Sequence, residues 1–284
     1  MSVEKFVVLM AVAILLFTTA CVQAVGSACY LQTSQHTERP VKDVIVKTVI
    51  DGDTIRLDDG RLVRFIGVNT PEIDHKFGNS EPFAEQARDS LDKMLARHQY
   101  QIRLQYGVDS KDPHGRLLAD IFTRSGDNIE TQLIRAGLGV WIVVPPNLDY
   151  MDCYKRQEQY ARSHHLGVWR SQFKHPRDVN QLSAQDTGFQ WISGKIGRIG
   201  KGKKFLWLGF DMLTKSGKNS AKAQKSHIYT DVALRVNKND LKYFKETAIE
   251  SYLNKYVRVK GWLTQYKHQL VMSLRHPASI EVAR

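Results

Sequence analysis

A mainly β chain of the α+β class, folded as two small Greek-key barrels in tandem, is the architecture this sequence predicts, and three observations carry the prediction. The first is length. At 284 residues the chain exceeds one ordinary domain, so two hydrophobic cores are expected. The second is punctuation: between Val44 and Val68 the runs VIVKTVI, IRL and RLVRFIGV are separated by DGDT and DDG, and Asp-Gly pairs between β-branched runs are the local signature of hairpins. The third is order. Three strands, a helix, two strands and then helices match a five-stranded OB-type barrel with helices packed beside it, and a similar order returns after residue 188 as a second OB-like barrel. No sequence repeat links the two halves.

The elements follow from local chemistry. After the hairpins, Ser80 is placed to cap a helix, Pro82 suits its first turn, and Phe83, Ala87, Leu91, Met94 and Leu95 recur at helical spacing as far as Ala96. Strands are predicted at Tyr100–Tyr106 and Arg116–Thr123, and helices at Ile129–Ala136 and Met151–Ser163. His164-His165 decorates the end of the latter. Residues 171–187 are polar, contain Pro176 and lack periodicity, so they read as a linker. Beyond it, strands are expected at 189–199, 204–210, 227–236, 256–265, 269–274 and 279–282. A helix capped by Asn239 or Asp240, with Leu241, Phe244, Ala248 and Tyr252 on one face, interrupts that series.

At the other end, Phe6–Val22 is an uncharged apolar run after Lys5, the layout of a secretory signal. Residues 1–24 therefore read as a signal peptide, or as a lipoprotein signal ending at 20 with Cys21 lipidated and the protein attached to a membrane. An uncleaved anchor is a third reading. All three place the chain outside the cytoplasm, secreted, periplasmic or membrane-anchored. Residues 25–43 form a lead, 44–170 the first domain and 188–284 the second. Cys29 and Cys153 remain as an even pair that an oxidising compartment would allow to bridge, and no Cys/His spacing suggests zinc.

Charge divides the chain more sharply than composition does. With 42% hydrophobic and 25% charged residues the chain can bury a core, which excludes wholesale disorder. The net charge is +12, yet residues 188–284 alone hold 19 Lys and Arg against 6 Asp and Glu. A polyanion held by the C-terminal module is the implied partner. Lys201, Lys203, Lys204, Lys218, Lys222 and Lys225 are the candidate phosphate contacts. Gly197 to Lys203 meets the G-x-x-x-x-G-K pattern, but Lys204 replaces the Ser/Thr that would hold magnesium, so a basic hairpin is the better reading.

Three polar clusters adjoin strand ends in the first domain: Asp51-Gly-Asp53-Thr54, Arg64-Phe-Ile-Gly-Val-Asn69-Thr70-Pro-Glu72, and Asp112-Pro-His-Gly-Arg116. Alternation would set Arg64 on one face with Ile66 and Val68. Together with the Leu133–Leu138 helix and the Gly167-Val-Trp end, the clusters resemble the staphylococcal nuclease (thermonuclease) family over roughly Val44 to Trp169. The resemblance implies that Arg64, Glu72 and Arg116 are catalytic, and that Asp53, Asn69 and the Thr70 carbonyl surround Ca2+. It further implies that the substrate is DNA, RNA or both, cleaved to leave 3′-phosphates. Asn69 stands where the family commonly has an aspartate, which removes a charge from the ligand set and admits another divalent ion. A noncatalytic nucleic-acid binder that keeps the fold is the alternative. Asp51 and Asp112 read as turn or supporting residues.

Overall fold

The computed structural model describes residues 29–31, 39–211, 232–244, 249–267 and 269–283. The signal-like segment with Cys21, and Lys218, Lys222 and Lys225, lie outside the described residues. So does Ala248.

The Asp-Gly signals act as hairpins. Strands β1 (Val41–Asp51) and β2 (Thr54–Leu57) meet at Asp51↔Thr54, and β3 (Leu62–Phe65) returns beside β2. A two-residue β4 (Val68–Asn69) leads to helix α1 (Ala84–Arg97), then β5 (Gln101–Lys111) and β6 (Leu117–Thr123). The order β1-β2-β3-β6-β5 closes into a barrel in which β3 and β6 run parallel. Alternate residues Ile55, Leu57, Val63, Phe65, Ile102 and Leu104 fill it. Ala84, Ala87, Leu91 and Leu95 on the inner stripe of α1 are buried, the 3–4 spacing that the sequence carries. Helix α2 (Ile129–Arg135), the short β7 (Val140–Trp141) and α3 (Met151–Ser163) complete the domain. Cys29 is paired with Cys153 of α3 as a disulfide, with the Cα atoms 6.1 Å apart.

Two local expectations are corrected. Ser80 caps nothing: α1 begins four residues later behind Phe83, and the Ser80 hydroxyl instead accepts the Asp74 N–H at 3.2 Å. The alternation drawn through Arg64, Ile66 and Val68 also breaks. β3 ends at Phe65, Gly67 adopts φ +76°, and Val68 joins Val63 and Phe65 in the core. A side chain at 67 would sit 2.3 Å from the Tyr154 ring, so glycine is required there for both conformation and space.

The second domain repeats the topology without repeating the sequence. Its strands are β8 (Arg177–Asp178), β9 (Gly188–Lys201), β10 (Phe205–Phe210), β11 (Val232–Asn237), β12 (Tyr256–Tyr266), β13 (Gln269–Ser273) and β14 (Ile280–Val282). The ring β9-β10-β11-β13-β12 closes through β12 on β9, with β11 and β13 parallel. This is the ring order of the first barrel. The helix expected at 239–252 is two 3₁₀ stretches, Lys238–Phe244 and Ile249–Tyr252, which still bury Phe244 and Tyr252. Tertiary packing of those aromatics outweighs a helical propensity that is weak over so short a span.

Residues 171–187 are more than a tether. β8 pairs with β9, Val179 is buried in the second core, and Phe173 packs with Trp169, Val140 and Trp191 in a cluster shared by both domains. Beside that cluster Lys260 of β12 donates to both carboxylate oxygens of buried Glu158 at 2.5 Å, and Glu158 also accepts the Trp141 N–H. Burial pushes the Lys260 amine below its ordinary range, and Glu158 works against that shift. Removing either partner of such a pair costs about 3–5 kcal/mol, because a buried charge is left alone. The two barrels are thus fastened face to face. Among the described residues no helix is long and apolar enough to cross a membrane.

Candidate active site

Topology gathers the three sequence clusters at one end of the first barrel. The β1–β2 turn carries Asp51 and Asp53, β3 lies beside it with Arg64 opposite Thr54, and Arg116 immediately precedes β6, whose Leu117 faces Val63. Gly52 makes the turn possible. A Cβ there would stand 2.6 Å from Ala87 of α1 and 2.8 Å from Thr70.

Asp53 is the hub. Its carboxylate accepts the Thr70 N–H at 2.7 Å and the Thr54 hydroxyl at 3.1 Å, and meets the Arg64 guanidinium at 3.0 Å. Arg64 also donates to the carbonyls of Phe65 and Val68, at 2.9 and 2.8 Å, and to Asn69 Oδ1 at 3.1 Å. Its fork therefore ties the strand end to the 68–70 loop. Asn69 and Val68 are further held by antiparallel pairing of β4 with β7.

Glu72 stands on the exposed side of that loop, its backbone N–H donating to Glu81 and its carbonyl accepting from the Glu81 N–H. Local crowding of its carboxyl, followed by the negative charge of Asp53, raises its pKa; Arg64 and Arg116 oppose the rise. Arg116 is a third exposed and holds Asp112 at 2.6 Å. Burial works against ionisation of Asp112, yet the bonds from Arg116 and from the backbone N–H groups of Arg116 and His114 outweigh it and hold the carboxyl low. Asp112 thus orients Arg116.

Asp51 matters more than its sequence context suggests. Burial and the nearby charges of Asp53 and Glu72 push its pKa up to about 7, so it belongs to the same carboxylate group. The signal was present as the first aspartate of D-G-D-T, where turn chemistry explains it equally well. Among the described residues no three His, Cys, Asp or Glu side chains converge on one point. The candidate ligands are oxygen donors of the kind a hard cation takes, and Asp53 adjoins Thr70 by accepting its N–H, while in this structure Arg64 occupies the Asp53 carboxylate and Asn69 Oδ1. Of the lysines assigned to phosphate, Lys201, Lys203 and Lys204 are all exposed. Lys201 is paired with Glu250 at 3.3 Å, which leaves Lys203 and Lys204 as the cationic tip of the β9–β10 hairpin.

Residues 62–171 match the family described as staphylococcal nuclease homologue. The thermonuclease of Staphylococcus intermedius is 35% identical over 129 residues, covering 44% of this chain and 74% of that protein. The endonuclease YncB of Bacillus subtilis (strain 168) is 31% identical over 151 residues, covering 49% and 71%. The SPbeta prophage-derived endonuclease YokF of the same organism is 32% identical over 131 residues, covering 45% of this chain and 44% of that protein. The chain thus spans less than half of the last relative and nearly three quarters of the first. The barrel, its clusters and these similarities together make the chain a member of the staphylococcal nuclease family.

Proposed function

We propose that the protein is an exported, divalent-metal-dependent nuclease that hydrolyses phosphodiester bonds of DNA or RNA, with the basic second barrel holding the polymer. The observation that carries the reading is that Arg64 and the residue before β6, Arg116, stand at paired ends of β3 and β6, both near enough for their charges to act on Glu72. A phosphodiester is anionic, so hydrolysis needs a base for water and cations for the charge that gathers on the phosphoryl oxygens. Glu72 takes the proton from the attacking water. Arg116, held through its Nε by Asp112, presents its terminal nitrogens to a phosphoryl oxygen, and Arg64 would do the same on exchanging its bonds to Asp53 and Asn69 for the phosphate. The water oxygen bonds to phosphorus as the P–O5′ bond breaks, leaving a 3′-phosphate and a 5′-hydroxyl whose proton comes from solvent. Asp53, Asn69 and the Thr70 carbonyl would hold Ca2+ or another divalent ion, which when bound supplies a fixed positive charge to the phosphate.

Export rests on the apolar run at 6–22, and the Cys29–Cys153 disulfide supports it, since such bonds persist outside the reducing cytosol. Lipidation of Cys21, which follows Thr18-Thr19-Ala20 as in a lipoprotein signal, is the alternative to cleavage after Ala24. The deciding experiment incubates the mature protein with linear DNA, circular DNA and RNA, with Ca2+ and with a chelator. Cleavage with metal that stops on chelation is expected; binding without cleavage of any substrate would replace the enzyme with a noncatalytic binder.

Because Glu72 must be ionised to act as base, and its carboxyl is raised by crowding and by Asp53, kcat/KM should climb with pH through a value above the ordinary glutamate pKa of about 4.3. Below that value the base is protonated and idle. A pH–rate profile with its acid limb centred at or under the ordinary value would remove Glu72 from the role.

A further inference from the structure

The two barrels build one feature together that the reading above does not use. A cavity of about 290 Å³ lies between the chain that follows β7 and the outer face of the second barrel. Val143 and Val144 line it on one side, and Arg235, Trp262, Ser273 and Arg275 on the other. Strand alternation explains the second set. Leu234, Leu263 and Met272 point into the core, so their neighbours Arg235, Trp262 and Ser273 point out.

The chemistry of the wall is specific. Arg235 has no carboxylate within ion-pair distance among the described residues; it donates to Ser273 Oγ at 3.0 Å, and its guanidinium lies 4.9 Å from the centre of the Phe205 ring. Arg275 donates to the Pro145 carbonyl at 2.8 Å and meets Asp240 only at 3.6 Å. Lys260, also on the wall, is neutralised by Glu158. Trp262 is 42% exposed, unlike Trp141, Trp169, Trp191 and Trp207, each under 9%. A half-bare indole between valines and arginines offers a flat apolar face with unspent positive charge beside it.

Position ties the cavity to the candidate active site. The Ile142 N–H, at the cavity edge, donates to the Gly67 carbonyl at 3.0 Å, two residues before Asn69. Trp262 meets the Phe189 ring edge-on at 5.0 Å, and Phe189 lines a recess with Asn69, Pro71 and Glu81. A strand of nucleotides held at the Asn69 loop would reach the cavity along these aromatics.

We propose that this cavity is a subsite for a flanking nucleotide of single-stranded nucleic acid, with the base stacked on Trp262 and the phosphate held by Arg235 and Arg275. The proposal rests on the nuclease reading and adds to it a second-barrel contribution to substrate choice. Single strands follow from geometry, because only an unpaired base can lay its face on an indole. Arg235 on β11, Trp262 on β12 and Ser273 on β13 set the stacking face and the cation on neighbouring strands of one barrel wall.

The test uses the mature full-length protein carrying Glu72→Gln, and a labelled 12-nucleotide single strand. Adding Trp262→Ala should raise the dissociation constant about 5- to 150-fold, the range for loss of one base–aromatic stack. Trp262→Phe should recover most of the affinity, and Arg235→Gln should weaken binding and flatten its salt dependence. The dissociation constants of a blunt duplex and of a dinucleotide too short to span both places should each change less than twofold. Unchanged single-strand affinity in both Trp262→Ala and Arg235→Gln would overturn the subsite. Equal losses for single strand, duplex and dinucleotide would overturn it too, by pointing to a structural role. Failure of the unmutated protein to cleave would defeat the nuclease reading alone, since binding is measured separately.

Discussion

Glu72→Gln is expected to lower turnover on DNA or RNA by at least ~10²-fold with no measurable loss of folding stability. General bases contribute typically ~10²–10⁴-fold, and glutamine keeps the volume of glutamate while losing its ability to take a proton. The fold should not notice the change. Glu72 is exposed, and the two bonds that close its loop on Glu81 use the Glu72 backbone N–H and carbonyl, so both survive. Single-turnover rates alongside a thermal melt would check this. A variant that melts like the wild type and cleaves at its rate would show that some other group activates the water, and Asp51, titrating near 7 in the same cluster, would be the first to examine.

The two arginines should separate where the sequence treats them alike. Arg64→Lys and Arg116→Lys are each expected to reduce activity by ~10²-fold or more, because an ammonium cannot reproduce a planar two-point contact with phosphate. Only the first should also loosen the protein. Arg64 is 11% exposed and bonds Phe65, Val68, Asn69 and Asp53; lysine cannot serve all four, and leaving a buried acceptor unsatisfied costs about 1–3 kcal/mol. Arg116 is 31% exposed and, among the described residues, has one ion-pair partner, Asp112, so its replacement should shift stability by under about 0.5 kcal/mol. Urea midpoints for both variants would read the difference. Equal midpoints would mean that the Arg64 bonds carry no net stability, and full activity in either variant would remove that arginine from the phosphate.

Both expectations depend on an arrangement that neither barrel holds alone. β4 and β7 position Asn69, β7 is fastened to α3 through the Trp141–Glu158 bond, and Glu158 is neutralised from the second domain by Lys260. A side chain on β12 therefore stands three contacts from the candidate metal ligands. That linkage is why point variants within the full chain are the appropriate probes: removing the second barrel would uncover Trp169, Phe173 and Glu158 together.

Sequence alone determined what depends on short spans. Hairpins at Asp51–Thr54 and Asp58–Gly60, α3 from Met151 to Ser163 and the strands of both barrels were legible because turn residues and apolar periodicity act within a few positions. The candidate site was legible for a different reason: its residues fall in three compact motifs whose joint order resembles a family. Tertiary structure decided whatever hangs on long-range placement. Ser80 has the chemistry of a cap, but the loop from Asp74 claims it. Arg64 looked like a charge stranded on an apolar face until Gly67 reversed the chain and four partners surrounded it. Asp51 differs from an ordinary turn aspartate through its burial first, and then through the charges of Asp53 and Glu72 beside it. The polar stretch 171–187 carries no periodicity, so its docking through Phe173 and Val179 could not be read from pattern. The cavity between Val143 and Trp262 joins residues more than a hundred positions apart, and only the contact of the two barrels brings them onto one wall.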